Sequence, residues 1–167
     1  MTDTVCIRTA TEADWPHIWP FWHEIVSAGD TYAYEPSTGY DQAQAMWLGQ
    51  SPEETWVALL ADHVVGSYHI GPNHAGPGAH IANVSYMVDA STRGHGVGRA
   101  MVEHSIGRAT EAGYRGIQFN AVAATNVYAI KLYEALGFET IARVPGGFRH
   151  PQDGFVDLLI MFRSLSP

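Results

Sequence analysis

The sequence predicts one α/β domain: a mixed β-sheet with helices on both faces. Three observations predict it. The apolar patterns along the chain read strand, two helices, three strands, helix, strand, helix, two strands, which is neither the order of an all-parallel doubly wound sheet nor that of a barrel. The 167 residues suit a single domain, expected to span 1–167. At 46% apolar residues, the chain can bury a sizeable core.

Each element has its own justification. VCIRTAT at 4–10 reads as the first strand. Thr11 with Asp14 three residues on is close to a capping box. A helix follows, with Trp15, Trp19, Trp22 and Val26 on one face. Pro16 suits its first turn, and Pro20 is expected to kink or end it. A short second helix is expected over about 39–49. TWVALLADHVVGSYHIG at 55–71 alternates and reverses at Asp62-His63, which predicts a hairpin. AHIANVSYMVDA at 79–90 is a long strand. The next helix carries Val97, Met101, Val102, Ile106 and Ala109 as its apolar stripe, with Gly113 as C-cap. GIQFNAVA at 116–123 is an apolar strand, and NVYAIKLYEALG is a helix ended by Gly137. FETIARV and GFVDLLIMFR supply the last two strands, with GGFRHPQDG at 146–154 between them as a loop.

Composition narrows the function. With 17 acids against 9 Lys and Arg, the net charge is −8, and an acidic surface repels phosphate backbones, so no nucleic-acid partner is expected. A lone Cys6 excludes an internal disulfide framework. No apolar stretch approaches the ~18 residues of a membrane span. The start, MTDTVCIRTATEAD, lacks the basic and apolar runs of a signal peptide. The expectation is a cytoplasmic protein with no membrane partner. Nine histidines are present, but His69, His74 and His80 match no zinc spacing, and His23-Glu24 is not completed to H-E-x-x-H, so no metal is expected.

Arg93-Gly94-His95-Gly96-Val97-Gly98-Arg99-Ala100 lies between a strand and a helix. A helix start leaves unpaired N–H groups carrying partial positive charge. Glycines let a ligand approach that backbone closely. Together they make a cradle for phosphate or pyrophosphate, with Arg93 and Arg99 as added cations. The spacing G-x-G-x-G is neither a Walker A loop nor the dinucleotide fingerprint. A glycine turn that only caps the helix is the alternative. Further on, Asn126 and Tyr133 stand nearly two helical turns apart, so they share one face about 10 Å apart. An amide and a phenol so placed can track an extended, amide-containing ligand. Simple packing of the tyrosine is the alternative.

Arg93-x-x-Gly96-x-Gly98 resembles the R/Q-x-x-G-x-G/A signature of the GNAT superfamily of acyl-CoA-dependent N-acyltransferases, and Asn126-x-x-Ala129-x-x-Leu132-Tyr133-x-x-x-Gly137-Phe138 resembles that superfamily's second motif. The likeness extends to the element order over nearly the whole chain. It implies a twisted, mostly antiparallel sheet of about seven strands with one splayed parallel pair and about four helices. It implies acetyl-CoA as co-substrate. The pyrophosphate would lie on the amides of Arg93 to Ala100, and the pantetheine arm would pair with Met87 and Val88. Asn126 would contact the arm and Tyr133 would lie near the sulfur. Homodimerisation through the last strands is implied as well.

Acyl transfer to an amine needs a neutral amine, a donor for the carbonyl oxygen and a proton for the departing thiolate. Tyr133 is the expected acid, since a phenol's ordinary pKa lies above a thiol's, and a backbone N–H near Val88 can polarise the carbonyl. Many GNAT enzymes carry a Glu on the strand ending at Met87-Val88; this chain has Asn83, Ser85 and Tyr86 there. The base is therefore open: an ordered water, an amine arriving neutral, or Asp157, which is equally readable as a structural acceptor. Asparagine is disfavoured in strands, so Asn83 and Asn120 are read as converging on the acceptor, with Asn120 beside Tyr133 and Val88 at the reacting atoms. Bonding to main chain where the sheet opens is the alternative. With the Thr31-Tyr32-Ala33-Tyr34 loop, these asparagines look like the branch that includes fungal acetyltransferases acting on proline analogues such as azetidine-2-carboxylate. Tyr32 and Tyr34 are expected to line the acceptor pocket, and Trp19 and Trp22 to line it or fill the core. Arg149 and His150 either meet an anionic group or sit in a solvated loop. The expected function is acetyl transfer to a small amine in a ternary complex. Acetylation of a protein N-terminus or lysine, and non-catalytic acyl-CoA binding, are the alternatives.

Overall fold

The computed structural model describes residues 4–165. Its strands are β1 (Cys6–Thr9), β2 (Glu54–Leu60), β3 (His63–Pro72), β4 (Ile81–Val88), β5 (Gly116–Ala123), β6 (Glu139–His150) and β7 (Gly154–Ser164). The helices are α1 (Trp15–Ala28), α2 (Tyr40–Trp47), α3 (Val97–Glu111) and α4 (Val127–Ala135). All seven strands join one sheet in the order β1-β2-β3-β4-β5-β7-β6. Every neighbouring pair is antiparallel except β4–β5. Among the described residues no helix is long and apolar enough to cross a membrane.

Local chemistry explains most boundaries. The β2–β3 turn is Ala61-Asp62, both at positive φ (47° and 63°), the two-residue turn whose twist matches its strands. The turn falls one residue before the expected reversal. At the start of α1, Asp14 accepts from the Thr11 N–H at 2.7 Å and takes both Arg8 guanidinium nitrogens at 2.8 and 2.7 Å. Contrary to one expected outcome, α1 does not end at Pro20 but runs on to Gly29 at φ 66°. The proline deletes one main-chain bond, whereas Trp15, Ile18, Phe21, Trp22 and Val26 are all buried, and that burial outweighs the loss.

The core has two halves, one on each sheet face. One holds Val97, Met101, Val102 and Ala109 of α3 against Ala82, Val84, Ile117 and Phe119. The other packs α1 and α2 residues on Val57 and Met87. Arg108 of α3 grips Glu54 of β2 through two bonds of 2.8 and 2.7 Å. The last hairpin differs from expectation. The segment 146–150 is not a loop: β6 continues through it to His150, absorbing Pro145-Gly146-Gly147 as an irregularity between Val144 and Phe148. Gly146 sits at φ 60° and donates its N–H to Asp157 at 2.9 Å.

The Arg8 guanidinium, working against burial, holds the Asp14 carboxyl down to about 2. Asp14 therefore contributes stability above the ordinary carboxylate pKa of about 4, and that contribution is lost as pH falls from there through about 2. Asp14→Asn should cost roughly 1–2 kcal/mol at pH 7. In urea unfolding series, this deficit should shrink as pH drops through that window.

Candidate active site

The chemistry gathers where β4 and β5 part. These strands pair only at Ile81↔Gly116 and Ala82↔Ile117, and then diverge. Beside the fork, Asn83 Nδ2 donates to the Gln118 carbonyl at 2.9 Å, so this side chain bonds to main chain where the sheet opens. The ladder tells which β4 groups face the opening. Asn73 N–H donates to Ile81 O and Asp89 N–H to Val65 O, so odd-numbered β4 residues bond to β3 and even-numbered ones turn the other way. Met87 is thus committed to β3, and its side chain is buried against α1 and α2. Val84, Tyr86 and Val88 present their N–H and C=O to the gap.

The glycine corner stands at the mouth of this fork. Gly94 and Gly96 lie at φ 85° and 75°, and a Cβ on either would meet nothing within 4 Å. Gly96 is the N-cap of α3, no side chain caps that end, and no acid lies in the first turn. The ordinary helix-start deficit of N–H partners is thus not met by a capping side chain. A Cβ on Gly98 would sit 3.8 Å from both Val88 and Leu132, which places the start of α3 between the end of β4 and α4. Val97 is buried, while Arg93, His95 and Arg99 are exposed and Ala100 partly so. Arg99 pairs with Glu103 at 2.9 Å, and His95 Nδ1 lies 3.2 Å from the Thr92 carbonyl.

On the far side, α4 brings up its two residues. Asn126 is the N-cap, its Oδ1 accepting from the Ala129 N–H at 3.4 Å, which leaves its amide NH2 for other work. Next to it, Thr125 Oγ1 is buried with no partner among the described residues. Tyr133 packs its ring on Phe119 (4.5 Å between centroids), Phe138 (5.9 Å) and Tyr86 (6.2 Å). Burial pushes its hydroxyl well above the ordinary phenol pKa, so it stays protonated throughout the neutral range. Positive-φ glycines with open space, an uncapped helix start and an orphaned buried hydroxyl all fit a diphosphate with a polar arm.

The acceptor-side residues are distributed less evenly. Tyr32 reaches into the fork: its hydroxyl donates to the Tyr86 carbonyl and accepts the Tyr86 N–H at 3.0 Å. Its ring stacks on Tyr34 at 5.5 Å, Tyr34 on Trp22 at 5.9 Å and Trp22 on Trp19 at 5.9 Å. Trp22 is wholly buried and Trp19 partly so. Asn120 is exposed and donates to Asn73 Oδ1 at 2.6 Å, while Gln118 Nε2 donates to Asn120 Oδ1 at 2.9 Å. Sequence reading missed three partners: Asn73 and the Tyr86 main chain lie 47 and 54 residues from the side chains they meet, and the Gln118 carbonyl lies 35 residues from Asn83. Asp157 is a strut. Its carboxylate takes Arg143 at 2.8 Å and the Gly146 N–H, and these hold it below its ordinary pKa, which makes it a weak base. Arg149 is exposed, and His150 Nδ1 lies 3.3 Å from Asp153; neither belongs to a loop. Cys6 is exposed at the start of β1.

A seven-stranded mixed sheet forked at its one parallel pair, with a glycine-rich helix start at the mouth, is the GNAT fold. Residues 19–138 match the acetyltransferase (GNAT) family, and the chain belongs to that family. A GCN5-related N-acetyltransferase from Kribbella flavida has the same fold at a TM-score of 0.93 and 49% identity, over 96% of this chain and 97% of that one. A GNAT superfamily phosphinothricin acetyltransferase from Sinorhizobium meliloti, solved in complex with acetyl-CoA, shares the fold at a TM-score of 0.87 and 23% identity, over 99% of this chain and 90% of that one. N-acetyltransferase aca1 of Schizosaccharomyces pombe is 33% identical over 98 residues, 58% of this chain and 47% of that protein. The chain spans less than half the length of the curated relatives it matches.

Gly96→Val forces a branched side chain to φ 75° and fills the open space beside it. The expected outcome is at least a roughly tenfold rise in the coenzyme A dissociation constant by calorimetry, with far-UV circular dichroism unchanged.

Proposed function

We propose that this chain is an acetyl-CoA-dependent N-acetyltransferase that acetylates a small amine, an amino acid or amino-acid analogue, directly within a ternary complex. The observation that carries this reading is the fork, into which the Val88 main chain turns and beside which the Tyr133 ring packs on Tyr86. Family membership supports the acetyl-transfer chemistry. The stacked column of Tyr32, Tyr34, Trp22 and Trp19 supports a closed aromatic pocket over an open peptide groove.

Each residue then has a task. Acetyl-CoA supplies an acyl group already activated as a thioester. Amides of Gly94, Gly96, Val97, Gly98 and Arg99, with the Arg93 and Arg99 side chains, hold the diphosphate, since the His95 and Ala100 N–H groups already donate to Thr92 and Gly96. Asn126 and Val88 hold the arm, and the Val88 N–H polarises the acyl carbonyl. As the amine nitrogen bonds to the acyl carbon and the C–S bond breaks, Tyr133 gives its proton to sulfur and recovers one from the amine side through water. A thiolate leaving in the same dry setting is desolvated too, which raises its proton affinity and lessens the mismatch with the phenol. Asn83 and Asn120 each keep one amide N–H beyond the bonds they give to Gln118 and Asn73, and offer it to the acceptor's carboxylate or carbonyl. A cyclic secondary amine is one candidate acceptor. With no carboxylate at positions 83, 85 or 86 and Asp157 engaged elsewhere, the amine is delivered neutral or through water.

The catalytic unit is proposed to be the whole of 1–167, working in the cytoplasm as a homodimer. Exposed Ile141, Val144 and Phe155 on the β6–β7 hairpin support the pairing, since a long apolar edge strand invites a partner.

Free-thiol release from acetyl-CoA against amines, amino acids and peptides tests this reading. Small amines should turn over; product from peptides alone would overturn the small-molecule reading. Tyr133→Phe should lower kcat about 100-fold with KM nearly unchanged. The wild-type rate should climb with pH through the acceptor amine's own pKa, because the enzyme supplies no carboxylate base.

A further inference from the structure

The Tyr32 contact goes further than lining a pocket. Tyr32 sits on the segment between α1 and α2, yet its hydroxyl meets the main chain of Tyr86, 54 residues away. A hydroxyl both donates and accepts, so this one group satisfies both the N–H and the C=O of Tyr86. Those are fork-facing groups, which a strand-like ligand would otherwise use. The ring cannot swing freely. It lies nearly parallel to Tyr34 (13°), and Tyr34 nearly parallel to Trp22 (17°), whose indole is fully buried in α1. Tyr32 is thus pinned at both ends, by two hydrogen bonds in the fork and by a stack rooted in the core.

An arm that enters from the glycine corner and pairs with β4 meets Val88 first. The next fork-facing pair, at Tyr86, lies one strand repeat further in, about 7 Å, and is already taken. We propose that Tyr32 is the stop that sets how deep the acyl end enters the fork, and therefore the residue that limits acyl-chain length. The idea rests on the acyl-CoA reading above. A two-carbon acyl group fits in the interval between Val88 and the Tyr32 ring; a longer chain runs into the ring. By occupying Tyr86, the same contact keeps the arm from sliding inward by one repeat, so the thioester stays beside Tyr133.

Calorimetric titration of the full chain with coenzyme A, acetyl-CoA and butyryl-CoA tests this without any acceptor. In wild type, butyryl-CoA should bind about tenfold more weakly than acetyl-CoA. Tyr32→Ala should bring the two within about threefold of each other, while coenzyme A itself binds as before, since its diphosphate contacts lie at the other end. Tyr32→Phe keeps the stacked ring and removes both hydrogen bonds. It should shift the butyryl-to-acetyl affinity ratio about threefold in the same direction, and it covers the case in which the alanine variant does not fold. A wild type without chain-length discrimination, or a discrimination unchanged in the folded variants, would overturn the proposal. Absence of any coenzyme A binding by wild type would instead remove the acyl-CoA reading itself.

Discussion

Two hydrogen-bonded pairs between β4 and β5, followed by divergence, are the constraint on which the rest of this molecule depends. Backbone polar groups in a protein interior are costly when unpaired, so a sheet that opens in its middle must find partners for the strand edges it exposes. Here the partners are few and specific. The Asn83 amide bridges to Gln118 at the fork, the Tyr32 hydroxyl answers Tyr86, and the Val88 main chain faces the gap. The rings of Phe119, Tyr133 and Phe138 fill the α4 side as a packed wedge. The opening is therefore built into the fold and does not need a ligand to create it.

The same geometry explains how an acidic chain handles an anionic ligand. Net charge acts at long range and is screened, whereas a helix start presents fixed N–H dipoles at contact distance. Gly96 caps α3 at positive φ without a side chain over those dipoles, and no acid in the first turn of α3 competes for them. Around the fork the polar groups are phenols and amides, with no free carboxylate among the residues placed there. Burial raises Tyr32, Tyr86 and Tyr133 well above ordinary phenols. The site thus keeps its protons at neutral pH and leaves the charge change to the reactants.

Much of this was legible in the chain. The seven strands and four α-helices among the described residues were visible from periodicity and from glycine ends, because those signals are local: Val97, Met101, Val102 and Ala109 spell one buried stripe, and Gly113 and Gly137 sit at positive φ after their helices. Pro20 misled, since helix propensity speaks only of main-chain bonds while three tryptophans and a phenylalanine on the same helix speak of burial. The 146–154 stretch misled for a similar reason. Pro and Gly read as loop, but a bulge held by the Asp157 carboxylate lets a strand carry them.

Local spacings dictated the order of elements, the glycine corner and the placing of Asn126 at the start of α4 with Tyr133 near its end. These depend on spacings within a dozen residues, where the chain's own geometry leaves little choice. Assembly of the sheet put β7 between β5 and β6, turned Met87 to β3 and Val88 to the gap, and made Tyr32 rather than a neighbouring strand complete Tyr86. Each of those depends on the register of strands far apart in the chain. Register is a property of the assembled sheet, and a slip of one residue would exchange every inward group for an outward one.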